Sequence, residues 1–366
     1  MGAVKFGFGE EQEELRRYAA EWLAKRSSSE AVRRLMDTDD GFDPAAWKEM
    51  AELGWLGLAI PEERGGSGFG FREQAVLLEE MGRLLLPSPF LSTVILSAGA
   101  LLSAGDEQSL EMLPSIAGGD LRVALAGTDG VGEVLAAPTD EGWRLTGSVT
   151  HVVDGQTADL LIIPASTDDG LTLFLLDRGA AGVTTHPLAV LDQTRKQAEI
   201  SMTDTPARSV VGEVGRGAAI LADVMVRAVV AVALEQVGGA QRCLDMSVEY
   251  AKTRHQFGRP IGSFQAIKHK CADMLVKVES ARSAAYYAAW AADDDPEELS
   301  LLAPLAKSYC SEAYLHCAGE SIQIHGGIGF TWEHDAHLYF KRAKSSQLMF
   351  GDPLYHRQLL ADRLGL

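Results

Sequence analysis

Two stretches of this chain hold residue types suited to chemistry. In Tyr250-Ala251-Lys252-Thr253-Arg254-His255-Gln256-Phe257-Gly258-Arg259-Pro260-Ile261-Gly262-Ser263-Phe264-Gln265 an arginine and a glutamine precede a Phe-Gly turn. In Gln323-Ile324-His325-Gly326-Gly327-Ile328-Gly329-Phe330 a glutamine leads into paired glycines. A guanidinium can pair bidentately with phosphate oxygens, and glycines let backbone N–H groups come close to an anion. Taken singly, each has a plainer reading: Arg254 as a solvated charge at a helix end, Gly326 and Gly327 as a helix break. His334 and His337 stand beside Glu333 and Asp335. Their H-x-x-H spacing lacks a third placed ligand, so they read as a helix start and no metal is expected. Phe264 and Met274 read as core.

The elements that must position these segments fall in blocks. From Glu10 to about Leu101 the pattern is helical, with Leu15, Tyr18, Ala19, Trp22 and Leu23 at helical spacing. It is broken by Leu53 to Pro61 and by the loop Gly65-Gly66-Ser67-Gly68, before another helix around Gln74 to Leu86. Near Gly119 short apolar or alternating runs begin: Leu121–Ala126, Trp143–Thr146, Asp159–Pro164 and Leu171–Leu176. Turns such as Asp140-Glu141-Gly142 and Asp168-Asp169-Gly170 punctuate this β region, which extends to about Val211. From Gly217 onward long helices return. Strands and helices are segregated, which argues for an α+β class and against a doubly wound α/β fold.

Composition narrows the function further. The 366 residues allow two or three domains. A formal net charge of -18 argues against nucleic acid as a partner. The four cysteines, Cys243, Cys271, Cys310 and Cys317, form no C-x-x-C pair and lie in helical stretches. They read as buried free thiols suited to a reducing compartment. The start Met1-Gly2-Ala3-Val4-Lys5-Phe6 leads into acidic helix instead of a signal-like apolar run, and Phe6 stands where myristoylation wants Ser or Thr. No apolar run is taken as long enough to cross a bilayer, so a cytoplasmic chain without membrane attachment is expected.

The two segments, with His337-Leu338-Tyr339-Phe340-Lys341-Arg342-Ala343 after them, resemble the acyl-CoA dehydrogenase family, which shows R-x-x-F-G-x-P-I-x-x-F-Q and Q-x-x-G-G-x-G in this order. Pro61-Glu62 with Gly65-Gly66-Ser67-Gly68 is similar to the family's P-E-x-x-G-G-x-G turn. The resemblance covers essentially the whole chain. It implies an N-terminal α-helical domain (residues 1–118), a middle β-barrel domain (119–212) and a C-terminal four-helix bundle (213–366). It also implies an FAD-dependent oxidoreductase that introduces an α,β double bond into an acyl-CoA thioester, as in fatty acid or steroid side-chain oxidation. An electron-transferring flavoprotein is the implied acceptor, and a dimer or tetramer the implied assembly. Arg254, Gln256, Phe257, Gln323, Gly326 and Gly327 would line the ADP half of FAD, which in the family's dimer belongs to the neighbouring subunit.

Other positions depart from the family. The reaction needs a carboxylate base of raised pKa near the thioester α-carbon. Phe350 stands where the Y-E-G-T motif would place that Glu. The alternative base position, counted back from Arg254, is Ala228, followed by Val229. Glu235, two turns along the same helix, and Asp352 remain candidates; their plainer readings are a polar residue at a helix interface and a helix N-cap. The flavin-ring motifs are altered as well. Ala126-Gly127-Thr128-Asp129-Gly130-Val131-Gly132 replaces T-E-P-x-x-G-S-D, and His151-Val152-Val153-Asp154-Gly155 replaces W-x-T-N-G, so that Val153 cannot bond flavin N5. The pattern is similar to the small partner subunit of α2β2 acyl-CoA dehydrogenases, whose paralogous subunit carries base and flavin platform and whose substrates are often bulky. Two alternatives stay open: a self-sufficient homomer using Glu235 or Asp352, and a scaffold that has lost flavin.

Overall fold

The computed structural model describes residues 9–128 and 133–366. Among them the helices α1 (Glu10–Arg26), α2 (Ser29–Met36), α3 (Pro44–Glu52), α4 (Phe71–Arg83), α5 (Ala98–Ala104), α6 (Glu107–Leu110) and α7 (Leu113–Ala117) come first. Strands follow: β1 (Val123–Leu125), β2 (Val134–Thr139), β3 (Gly142–Val153), β4 (Leu160–Thr167), β5 (Gly170–Asp177), β6 (Val183–Pro187), β7 (Gln197–Pro206) and β8 (Ser209–Val211). The chain ends in α8 (Gly217–Thr253), α9 (Gln265–Asp294), α10 (Pro296–His325), α11 (Ala336–Leu348) and α12 (Pro353–Leu364). The helix, sheet, helix order is the one expected from the sequence.

By compactness the chain forms two units: residues 33–70 with 87–228, and residues 1–32 with 71–86 and 229–366. In the first, the strands form one sheet in the order β6-β7-β3-β2-β4-β5-β8, with β1 parallel to β4. The turn residues do what their types dictate: β3 and β5 begin at Gly142 and Gly170, and Thr139 and Thr167 pair with those glycines across the hairpins. One face buries Leu145, Val149, Leu161, Ile163, Phe174, Leu176 and Ile200 in a single apolar cluster. The Pro61–Phe69 loop folds on itself, with Ser67 N–H donating to Gly57 O at 2.9 Å and Gly68 N–H to Ile60 O at 2.9 Å. The all-buried segment Phe90–Ser97 winds as a π-helix. Its Ser92 hydroxyl donates to Asp154 Oδ2 at 2.6 Å.

The second unit holds α1, α4 and α9 to α12, together with α8 from Val229 on. Here α4 and α8 touch backbone to backbone. A Cβ on Gly238 would lie 1.8 Å from Glu79 O, and one on Gly82 would lie 2.1 Å from Glu235 O, so only glycine permits this crossing. Against it sits a buried polar cluster. The Glu79 carboxylate accepts from Arg16 at 3.1 Å, from Arg282 at 3.1 Å and from the Tyr286 hydroxyl, tying α4 to α1 and α9. Burial alone would raise the Glu79 pKa, but Arg16, Arg282 and Tyr286 outweigh it and hold the carboxyl below the ordinary range. Glu80 moves the other way, raised by burial.

The reach of α8 corrects one expectation. This helix is long and apolar enough to span a bilayer by length and composition, with a window of mean hydropathy 2.1, of which 56% is buried inside the fold. That hydropathy reflects a core helix, buried nearly all round from Ala228 to Leu234. Cys243, Cys310 and Cys317 are buried and Cys271 is half-buried, all four as free thiols. Burial pushes the Cys310 thiol up to about 12.

Glu79→Gln leaves two half-buried guanidiniums facing a buried neutral amide. The loss expected is about 3–5 kcal/mol of unfolding free energy, the range for breaking a buried ion pair. Urea unfolding checks this, and a change below about 0.5 kcal/mol would show that the cluster is not under electrostatic tension.

Candidate functional site: exposed motif turns and a buried corner

Both motif segments lie in the second unit, at the C-terminal ends of α8 and α10. α8 ends because Arg254 turns out of it, with the Arg254 N–H donating to Tyr250 O and the Ile261 N–H returning to Arg254 O, each at 2.8 Å. Between them His255-Gln256 pairs with Arg259-Pro260 as a two-residue ladder. Phe257 at its tip has φ 54° and is 92% exposed. Phe257 meets Phe264 edge-on at 6.1 Å, and Arg259 lies 4.2 Å over the Phe264 ring. Phe264 is therefore a half-buried helix-start residue instead of core, whereas Met274 is fully buried.

α10 ends at Gly326, whose φ of 61° and ψ of -136° suit glycine, and whose N–H donates to Gln323 O. Gly326 to Phe330 then form a short 3-10 turn. Arg254, Gln256, Gln323, Gly326 and Gly327 are all exposed. Among the described residues the Arg254 guanidinium has no carboxylate within ion-pair distance. A Cβ built on Gly326 or Gly327 meets nothing within 4 Å. A guanidinium without a protein counter-ion and a glycine turn facing open space fit the diphosphate of a dinucleotide.

The histidines are engaged in packing. His325 is buried, its ring 4.5 Å from Tyr250 and 4.3 Å from His334. Burial lowers its pKa and His334 adds to that, while the Ser321 carbonyl opposes. His334 Nδ1 accepts from the Ala336 N–H at 3.1 Å, at the start of α11, and His337 packs edge-on against Trp332 at 4.6 Å. Among the described residues no group of three His, Cys, Asp or Glu could hold a metal ion.

The corner between α11 and α12 explains itself without a base. Phe350 is 5% exposed with φ 59°, and Gly351 has φ 97°. The Lys307 ammonium, 0% exposed, donates to Gln347 O at 3.2 Å, Gly351 O at 3.1 Å and Ser311 Oγ at 3.2 Å. Ser311 in turn bonds Gln236 at 3.0 Å. His356 Nε2 donates to Phe350 O at 2.9 Å, and its Nδ1 is buried without a partner. Burial and the nearby ammonium bring the His356 pKa down to about 4. Asp352 caps α12, accepting from the Tyr355 N–H at 2.8 Å. Glu235 is half-buried on α8, its backbone closely approached by Gly82 at the crossing with α4. The plainer reading of each thus describes where it sits. The Lys307 and His356 links had no motif to announce them, since each depends on a tertiary approach.

In the first unit, Val153 is buried at the end of β3, and Thr128 is half-buried after β1. Asp129 to Gly132, the rest of that flavin motif, lie outside the described residues.

The chain is similar in sequence and fold to known proteins. Residues 215–365 match the family described as "Acyl-CoA dehydrogenase, C-terminal domain", and residues 9–120 its N-terminal domain. The chain is 39% identical to acyl-CoA dehydrogenase IpdE2 of Mycolicibacterium smegmatis, over 94% of this chain and 96% of that protein. Among solved structures it is similar to the ChsE4-ChsE5 complex from Mycobacterium tuberculosis, with TM-score 0.91, 31% identity and 99% of each chain covered. It is also similar to a variant of the Tcur3481-Tcur3483 steroid ACAD, with TM-score 0.88, 31% identity and 98% of each chain covered. The chain belongs to the acyl-CoA dehydrogenase family of FAD-dependent oxidoreductases acting on CH–CH bonds.

Two outcomes follow from this geometry. Gly327→Ala should change unfolding free energy by less than about 0.5 kcal/mol, because its Cβ meets open space. The same methyl should weaken FAD retention if phosphate lies there; unchanged retention would place the phosphate elsewhere. The second concerns pH. His356 is held neutral in the fold, so the unfolded state takes up its proton first as pH falls. Stability is full above about 6.5 and declines as pH drops toward about 4. Comparing urea unfolding of wild type and His356→Gln across that window should show a wild-type slope steeper by about 2–3 kcal/mol in total. Parallel slopes would contradict it.

Proposed function

We propose that this chain is the partner subunit of a heteromeric acyl-CoA dehydrogenase, clamping the ADP half of FAD seated on a paralogous subunit that carries the base. One observation carries the reading: Arg254 and the Gly326-Gly327 turn are open and unpaired with protein carboxylates, while the corner that gives the family its base holds a buried Phe350. The two-component names of the ChsE4-ChsE5 and Tcur3481-Tcur3483 neighbours support it.

Within that assembly Arg254 would pair with diphosphate oxygens, and the Gly326 and Gly327 backbone would approach the same group. Gln256, Phe257 and Gln323 would flank the adenosine. FAD, when bound, supplies the acceptor for the β-hydride. This chain contributes binding and orientation, and the α-proton leaves to a carboxylate of the partner. The substrate class we propose is a bulky acyl-CoA, such as a steroid side-chain thioester, in keeping with the word steroid in one neighbour's description. Electrons would pass to an electron-transferring flavoprotein, the enzyme would be an α2β2 tetramer, and its compartment the cytoplasm, where buried free thiols persist.

The test is expression of the chain alone and with paralogous acyl-CoA dehydrogenase subunits. The expected result is a colourless chain alone and a yellow complex that oxidises acyl-CoA. A chain that is yellow and active alone would overturn the partner role. In the yellow complex, Arg254→Ala should weaken FAD retention about 10- to 100-fold, the worth of a charge-assisted bond to phosphate. Wild-type retention in that variant would remove phosphate from Arg254.

A further inference from the structure

The clamp consists of two chain segments separated by dozens of residues, and their spacing decides whether one diphosphate can touch both. The first leaves the end of α8, where Tyr250 O accepts the Arg254 N–H at 2.8 Å. The second leaves the end of α10, where Gln323 O accepts the Gly326 N–H. Between them lies the imidazole of His325, the residue immediately before the glycines.

That ring is held from several sides. Its Nδ1 lies 2.7 Å from Ser321 O one turn back on α10, so Nδ1 carries the proton and the ring plane is set by its own helix. One face meets Tyr250 with ring centroids 4.5 Å apart and an interplanar angle of 30°. His334, beyond the 3-10 turn, meets it at 4.3 Å and 50°. The turn itself rests on the same residue, since a Cβ on Gly329 would come within 3.1 Å of His325 Cβ. His325 is 5% exposed, although Arg254 and Gly326 to either side are open to solvent. Three rings in contact therefore tie the α8 end, the α10 end and the far side of the turn.

We propose that His325 is a positioning residue for the FAD diphosphate: as the middle ring of the Tyr250–His325–His334 stack it sets the distance between Arg254 and the Gly326-Gly327 turn. The inference rests on the clamp reading above. His325 touches no phosphate itself. It acts through the backbone that follows it and through the ring that precedes Arg254 by one helical turn.

The test uses the flavin-bearing complex, stripped of FAD and titrated with FAD while protein-bound flavin fluorescence is followed. His325→Leu, which fills the volume without an aromatic face, should weaken FAD binding about tenfold, and His325→Phe should stay within about threefold of wild type. The decisive readout is a double-mutant cycle with Arg254→Ala. If His325 works by placing the guanidinium, the two losses overlap, and the double variant binds little worse than Arg254→Ala alone. A residue that serves only general stability would lower the melting temperature while its effect multiplied with that of Arg254→Ala. Multiplying losses, or wild-type FAD affinity in His325→Leu, would overturn the inference and leave the clamp intact. A wild-type complex that binds no FAD would overturn the functional reading and this inference with it.

Discussion

A carboxylate buried between two guanidiniums organises the helical unit. Glu79 collects Arg16 from α1, Arg282 and Tyr286 from α9, and sits on the helix whose backbone presses against α8 at Gly238. Desolvating such a charge is costly, and the cost is offset only while all partners stay in place. The arrangement therefore fixes the mutual setting of α1, α4, α8 and α9, whatever else the sequence does. α10 packs along α9, so the termini of α8 and α10 emerge from a frame that has one low-energy arrangement. A clamp made from two helix ends needs such a frame, since its residues are exposed and have little packing of their own.

The two candidate regions of this unit differ in character. At the proposed clamp, side chains and glycines face solvent, as an anion site would need. At the corner between α11 and α12 the polar side chains turn inward. Lys307 and His356 between them satisfy the carbonyls of Gln347, Phe350 and Gly351, and Ser311 and Gln236 extend the network into α8. Such a corner is organised around a backbone conformation, with the buried phenyl ring of Phe350 at its centre. This contrast is what supports the divided active site we propose.

Much of this was legible in the sequence. Blocks of helical and alternating periodicity separated the sheet from the helices, and turn residues at Gly142 and Gly170 marked hairpins that form there. The two motif segments were legible as breaks at the ends of α8 and α10, because motif spacing survives without knowledge of packing. The reach of α8 was misjudged, because hydropathy alone does not say whether a long apolar helix faces lipid or its own protein; here more than half of the apolar window is covered by the fold. Phe264 was misplaced for a related reason: an aromatic at a helix start can be half covered by a single arginine, as Arg259 does, without entering the core. The Lys307 network and the His325 stack were invisible, since each joins residues on different helices, and no local pattern records which helix faces meet.

The buried lysine also bears on what a base at this corner would meet. A glutamate placed at position 350 would find the Lys307 ammonium bonded to the carbonyls on either side of it. Attraction to that charge favours the ionised acid and makes it a feebler proton acceptor. Installing a working base at position 350 would thus require unmaking the lysine's attachment as well as replacing the phenylalanine, and removing the lysine first would strand its oxygen partners in a dry interior. On the partner-subunit reading we propose, each single step toward a base at this corner is worse than none, so dependence on a companion chain would be hard to shed.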